Sequence, residues 1–247
     1  ENYSNARKIL EMASDGLARH GDIVSVIFDI FERNLQSISY KGGARRSLDS
    51  TIACLQFIHA LIAILPSRVW PLLARSSLLG SDGKGGVLTA VVSAMEVTSG
   101  EYPFLLGCVR LLDVIVEDAA SHAAVRRTTN RVSSRSTHSV DWSAGVPSYV
   151  MSNVLSTFVR TMVEVYNSNA NWRFNEPEQR LEINALLAGT FERILYYAYG
   201  IDDNDKLDSK ITGVFAASAT YILTVLRPRS NDELPFNPIL RIILDGL

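Results

Sequence analysis

Three places in this sequence hold residue types that chemistry uses, and in each the spacing argues against it. The stretch Gly80-Ser-Asp-Gly-Lys-Gly-Gly86 has the glycines and the lysine with which a loop brings amides and a cation onto a phosphate. A nucleotide loop needs four residues between its first glycine and Gly-Lys, then Ser or Thr. Here only Ser81 and Asp82 intervene, Gly85 follows Lys84, and no strand pattern comes before. It reads as a turn between helices. Asp202-Asp203-Asn204-Asp205 gathers the oxygens a hard cation wants, but Lys206 and Leu207 stand where a calcium loop needs an oxygen ligand and a glycine. Helix capping and a polar turn account for it better. His20, His59, His122 and His138 are far apart, and none is spaced to share a metal with another ligand. His59 alone lies in an apolar helical pattern, where a core histidine with a local hydrogen bond is expected. No nucleophile, base and orienter fall into a catalytic pattern. The chain therefore reads as a non-enzyme, with no catalytic, cofactor-binding or metal-binding residue expected.

The aromatic residues raise a different possibility, since Tyr and Trp anchor many interfaces. Tyr196, Tyr197 and Tyr199 crowd one predicted helix end, and Trp70, Trp142 and Trp172 sit near segment ends. Closure of helix ends over a core is the plainer reading.

Hydrophobic spacing is helical almost throughout, and strand-like alternation never persists. Ile23, Val24, Val26, Ile27, Ile30 and Phe31 fall on one face, with Asp22 placed to cap their helix. Gly16 stops the helix before it, which carries Ile9, Leu10 and Met12. A third helix spans about Ser47 to Leu65 and ends at Pro66. A short one passes through Val69, Trp70, Leu72 and Leu73, and another runs from Val87 to about Thr98. Gly100 ends that helix, and Pro103 opens the next, which is expected to run to about His122. Later helices are predicted at Tyr149 to Tyr166, Glu178 to Tyr199 (closed by Gly200), Lys206 to Leu226 (capped by Asp205) and Asn237 to Leu244. The helices at Ser47 to Leu65 and Lys206 to Leu226 are apolar around much of their circumference, as burial between two neighbours requires. Pairs recur loosely at the spacing of HEAT and armadillo repeats, without a consensus. The predicted fold is an all-α, irregular α-solenoid of stacked antiparallel helix pairs, one helical segment over residues 1–247 and a fragment of a longer superhelix.

Composition agrees with that fold and removes other classes. The chain has 247 residues, 47% hydrophobic, enough to bury a substantial core. A net charge of -2 with 20% charged residues leaves no broad positive field for a nucleic-acid backbone. No apolar run reaches the roughly 20 residues of a membrane span. Cys54 and Cys108 lie in apolar helical patterns and read as small core hydrophobes. The one compositional break is residues 121–148, rich in Ser, Thr and Arg with Asp141 its sole acid, which reads as a loop or linker whose charge phosphorylation would reverse.

The most distinctive stretch is Arg68 to Asp118. It combines Val69-Trp70-Pro71, Ala74-Arg75-Ser76, Leu78-Leu79, a glycine turn, Glu96-Val97, Ser99-Gly100, Tyr102-Pro103 and Phe104-Leu105-Leu106. These elements resemble the very large inner-ring scaffold nucleoporins of the nuclear pore complex, in particular fungal members of the one-hundred-and-eighty-eight class, related to the one-hundred-and-ninety-two and two-hundred-and-five classes. The resemblance implies a structural subunit of the nuclear pore at the nuclear envelope, contributing to nucleocytoplasmic transport. Its implied partners are other nucleoporins, through amphipathic segments of linker nucleoporins, and phenylalanine-glycine repeats. A helical-repeat adaptor or karyopherin-like transport receptor outside the pore is the alternative with the same architecture. Trp70, Pro71, Arg75, Gly100, Tyr102 and Pro103 form the structural motif. Trp70 is expected to pack a short helix between neighbours, and Gly100 to make the tight turn that Pro103 leads into a long helix.

Overall fold

The computed structural model describes residues 2–16, 22–41, 45–80, 86–132, 146–199 and 209–226, and among them every regular element is helical. In chain order these are α1 (Asn2–Asp15), α2 (Ile23–Lys41), α3 (Arg45–Ile62), α4 (Pro66–Arg75), α5 (Gly86–Val91), a π-helical turn (Val92–Glu96), α6 (Val97–Ser99), α7 (Pro103–Val132), α8 (Ser148–Ser168), a 3-10 turn (Asn169–Asn171), α9 (Pro177–Tyr199) and α10 (Ser209–Leu226). The expected caps are in place where they are described. The Asp22 carboxylate accepts from Val24 N and from Ser25 Oγ at the start of α2 and also takes the Arg68 guanidinium. Gly16 N bonds back to Met12 O at the end of α1. Gly200, Asp205 and the predicted helix at Asn237 to Leu244 lie outside the described residues.

The helices stack in a layered but irregular order. α2 pairs with α3, α3 lies along α7, and α7 in turn packs on α9. α10 fills the space between α8 and α9, which touch each other little, and α4 bridges toward α8. Neighbours in space are thus often not neighbours in sequence. α3 and α10, apolar on most sides, are each enclosed by several helices, as their composition requires. One continuous core runs through the stack, from Phe28 and Phe31 of α2 to Ile58 of α3, Leu112 of α7, Phe158 of α8, Phe191 of α9 and Phe215 of α10.

Three local readings change. The apolar face of α1 is narrower than its sequence suggests: Leu10 packs on the core, but Ile9 and Met12 stay exposed. Between Val87 and Thr98 the helix is broken by the π-turn. α7, expected to stop near His122, continues to Val132. The apolar stripe does end near Ala119, but Ala123, Ala124, Arg126 and Arg127 are good helix formers and no Gly or Pro stops them. Residues 133–145 of that Ser/Arg-rich stretch lie outside the described residues.

Trp70 ties α4 to α7. Its side chain is fully buried, and its indole Nε1 donates to Asp118 Oδ2 at 2.7 Å. That bond satisfies the one polar atom that burying a tryptophan would otherwise strand. Trp70→Ala is expected to lose about 3 to 5 kcal/mol in equilibrium denaturation. Trp70→Phe, which keeps most of the packing and removes the donor, is expected to lose about 1 to 2 kcal/mol. A Trp70→Ala loss below that of Trp70→Phe would contradict the anchoring role.

Candidate functional site

The motif residues separate into two groups on α7. Trp70, Pro71 and Arg75 belong to α4, where Pro71 sits inside the helix and the exposed Arg75 donates from Nε to Pro71 O at 3.1 Å. Trp70 meets α7 at Asp118, about 22 Å along the helix from Pro103 at 1.5 Å per residue. Gly100, Tyr102 and Pro103 instead build the joint that starts α7.

The central residue of that joint is one the motif reading left without a role, Glu96. It is only 1% exposed, although a glutamate is seldom fully buried unless paired. Its Oε1 accepts from Phe104 N at 2.7 Å and its Oε2 from Leu105 N at 3.0 Å. A helix leaves its first amides without intrahelical acceptors, and here each is accounted for. Tyr102 N donates to Gln179 Oε1 at 3.2 Å, Pro103 has no N–H, Glu96 takes the next two, and Leu106 N makes the first intrahelical bond to Tyr102 O. The carboxylate also faces the positive end of the helix dipole. The π-turn allows this placement: its extra residue turns the chain so that Val91, Val92 and Glu96 are all buried.

Gly100 closes the other side of the joint. It takes the left-handed conformation at φ 77°, and its N–H bonds to Glu96 O at 2.8 Å, a C-cap that favours glycine. A Cβ there would stand 2.6 Å from Asn175 Oδ1. Asn175 is close because it binds the turn, through its N–H to Gly100 O at 2.9 Å and its Nδ2 to Ser99 O at 3.0 Å. Tyr102 completes the bridge to the 3-10 turn and α9: its ring stacks on Trp172 at 5.6 Å, meets Phe174 at 4.4 Å, and its hydroxyl donates to Arg173 O at 2.8 Å.

A second carboxylate holds the entry to this region. Glu32 of α2 accepts from Ser77 N, from Ser77 Oγ at 2.7 Å and from Ser76 Oγ. The turn after α4 then pairs with α5, as Val87 N bonds Ser77 O and Leu88 N bonds Leu78 O, both at 3.1 Å. Two early amides of α5 are therefore already used by carbonyls, so the glycine loop between them does not offer them to a phosphate. Residues 81–85 of that loop lie outside the described residues, as do Asp202 to Asp205, His20, His138 and Trp142.

Other expected residues are placed as follows. His59 is half-buried on α3, where burial and the Arg110 charge push its imidazole below its usual range. The local hydrogen bond expected for it is absent among the described residues. Tyr197 packs on Phe215 at 5.3 Å, as a helix-end closure should. Tyr196 and Tyr199, read the same way, are instead 58% and 57% exposed. No group of His, Cys, Asp and Glu among the described residues could hold a metal ion, and no described helix is long and apolar enough to cross a membrane. Cys54 and Cys108 are free and buried.

Burial pushes the Glu96 carboxyl up from 4.5 to about 7, while its bonds from Phe104 and Leu105 act in the opposite direction. An acid whose folded pKa lies above its unfolded one holds its proton better when folded, so stability falls as pH rises between the two values. A shift from 4.5 to about 7 corresponds to about 3 kcal/mol. Wild-type stability relative to Glu96→Gln is therefore expected to decline from pH 4.5 to pH 7 and to level off above. Parallel pH profiles for the two proteins in urea titrations would refute the assignment.

Comparison with known proteins adds the family context. The sequence matches the family described as nucleoporin Nup188, N-terminal subdomain III, over residues 2–246. Nucleoporin NUP188 of Chaetomium thermophilum is 28% identical over 97% of this chain and 13% of its own length. Nucleoporin NUP188 of Saccharomyces cerevisiae is 25% identical over 91% of this chain and 12% of its own. Nucleoporin nup184 of Schizosaccharomyces pombe is 22% identical over 81% and 11%. The chain thus spans about an eighth of the length of these relatives.

Proposed function

Because this chain belongs to the Nup188 nucleoporins, we propose that it is one stretch of a structural scaffold in the inner ring of the nuclear pore complex, at the nuclear envelope. The match over residues 2–246 carries this reading. The fold suits it: a helix stack with a continuous core, its turns fixed by carboxylates on backbone amides. In this reading the scaffold binds other nucleoporins, receiving short amphipathic segments of linker nucleoporins in furrows between helices. Phenylalanine-glycine repeats are a second class of segment that such apolar furrows accommodate. The scaffold role contributes to transport through the pore by holding its architecture.

The full-length protein bearing this chain, tagged at its own locus, is expected to give a nuclear-rim signal and to bring down other nucleoporins from nuclear-envelope extract. A diffuse signal with no other nucleoporin recovered would overturn the reading.

A further inference from the structure

The shelf that supports Tyr102 has an outer side. Trp172 and Phe174, whose rings meet Tyr102, join Pro177, Arg180 and Leu181 of the first turns of α9 to line an open cleft of about 350 Å³. Two properties set it apart from an ordinary surface fold. Leu181 is 64% exposed beside the half-buried aromatic rings, so apolar surface is left in water at one place. Arg180, half-buried in the lining, has no ion-pair or hydrogen-bond partner among the described residues. By contrast Arg68, Arg110 and Arg193 all engage carboxylates.

We propose that this cleft binds a short peptide segment presenting a large apolar side chain with a single carboxylate beside it. The apolar side chain takes the space between Trp172, Phe174 and Leu181, and the carboxylate pairs with the Arg180 guanidinium, whose planar fork suits it. Glu176 and Glu178, exposed at the start of α9, disfavour a uniformly acidic segment, so one well-placed carboxylate is selected. The walls are already held by the Tyr102 stack, the Tyr102 hydroxyl on Arg173 O and Gln179 on Tyr102 N. Little ordering is then needed when a segment docks. The assignment gives the scaffold reading a surface and rests on it only for the source of the segment, another nucleoporin.

The test is selection of short random displayed peptides on the full-length protein, followed by anisotropy titration of a labelled selected peptide. Enrichment of Asp or Glu close to Phe, Trp or Leu is expected. Arg180→Glu is expected to weaken the selected peptide by about tenfold or more, and Leu181→Ser by several-fold, with thermal melts unchanged because Arg180 has no partner among the described residues and Leu181 is exposed. Changing the peptide's carboxylate to its amide should weaken binding to wild type and leave Arg180→Glu unaffected. No enrichment, peptides without that pairing, or equal binding to the variants overturns the cleft. Other nucleoporins still recovered by wild type would then leave the scaffold reading standing, whereas their absence would remove it separately.

Discussion

The fold turns on one carboxylate, that of Glu96, held out of water against the two amides that begin α7. α7 is the helix that α3, α8, α9 and α10 all contact, so its starting point and direction set where the others can lie. A buried helix start with unpaired amides would cost heavily. Glu96 removes that cost and adds one of its own, because a carboxylate away from water is itself expensive. The balance is visible in its proton affinity, pushed up to about 7 by burial against the pull of Phe104 N and Leu105 N. The same buried charge raises the nearby Tyr102 hydroxyl and Cys108 thiol beyond what burial alone does, so neither group ionises in the physiological range.

The remaining contacts along α7 set its rotation. Trp70 meets Asp118 at one level. Arg193 of α9 engages Asp113 and Glu117, Thr190 donates to Asp113, and Arg110 pairs with Glu182. These ion pairs are partly exposed, and pairs of that kind are worth at most about 1 kcal/mol each. Their role is register rather than stability, which comes from the apolar core.

Much of this was legible from residue spacing. Helix positions follow from apolar periodicity, and Asp22, Gly16, Gly100 and Pro103 mark ends by their own backbone and capping chemistry. The joint itself was half legible. Gly100 and Pro103 announce a turn, but Asn175 and Gln179, which complete it, are more than seventy residues away, and no local pattern connects them. Glu96 did leave a signal, a lone acid beside the apolar Val91, Val92 and Met95. A charge on a buried stripe must have a partner, though spacing does not say which. The extension of α7 is hidden in the sequence for a different reason. Apolar periodicity reports burial, and it fades where a helix leaves the core, whereas the backbone goes on as far as propensity carries it. The Ser and Arg content near residue 121 marks the end of the apolar stripe and not the end of the helix.

The most direct measurement is residue-resolved hydrogen exchange at the Phe104 and Leu105 amides. First-turn amides of a helix normally exchange readily, because nothing inside the helix accepts them. With Glu96 as their acceptor, both are predicted to exchange as slowly as the core amides of α7, and in Glu96→Ala to speed up by far more than Leu112 does. Fast exchange at Phe104 and Leu105 in the wild-type protein would contradict the claim that this carboxylate holds the start of α7.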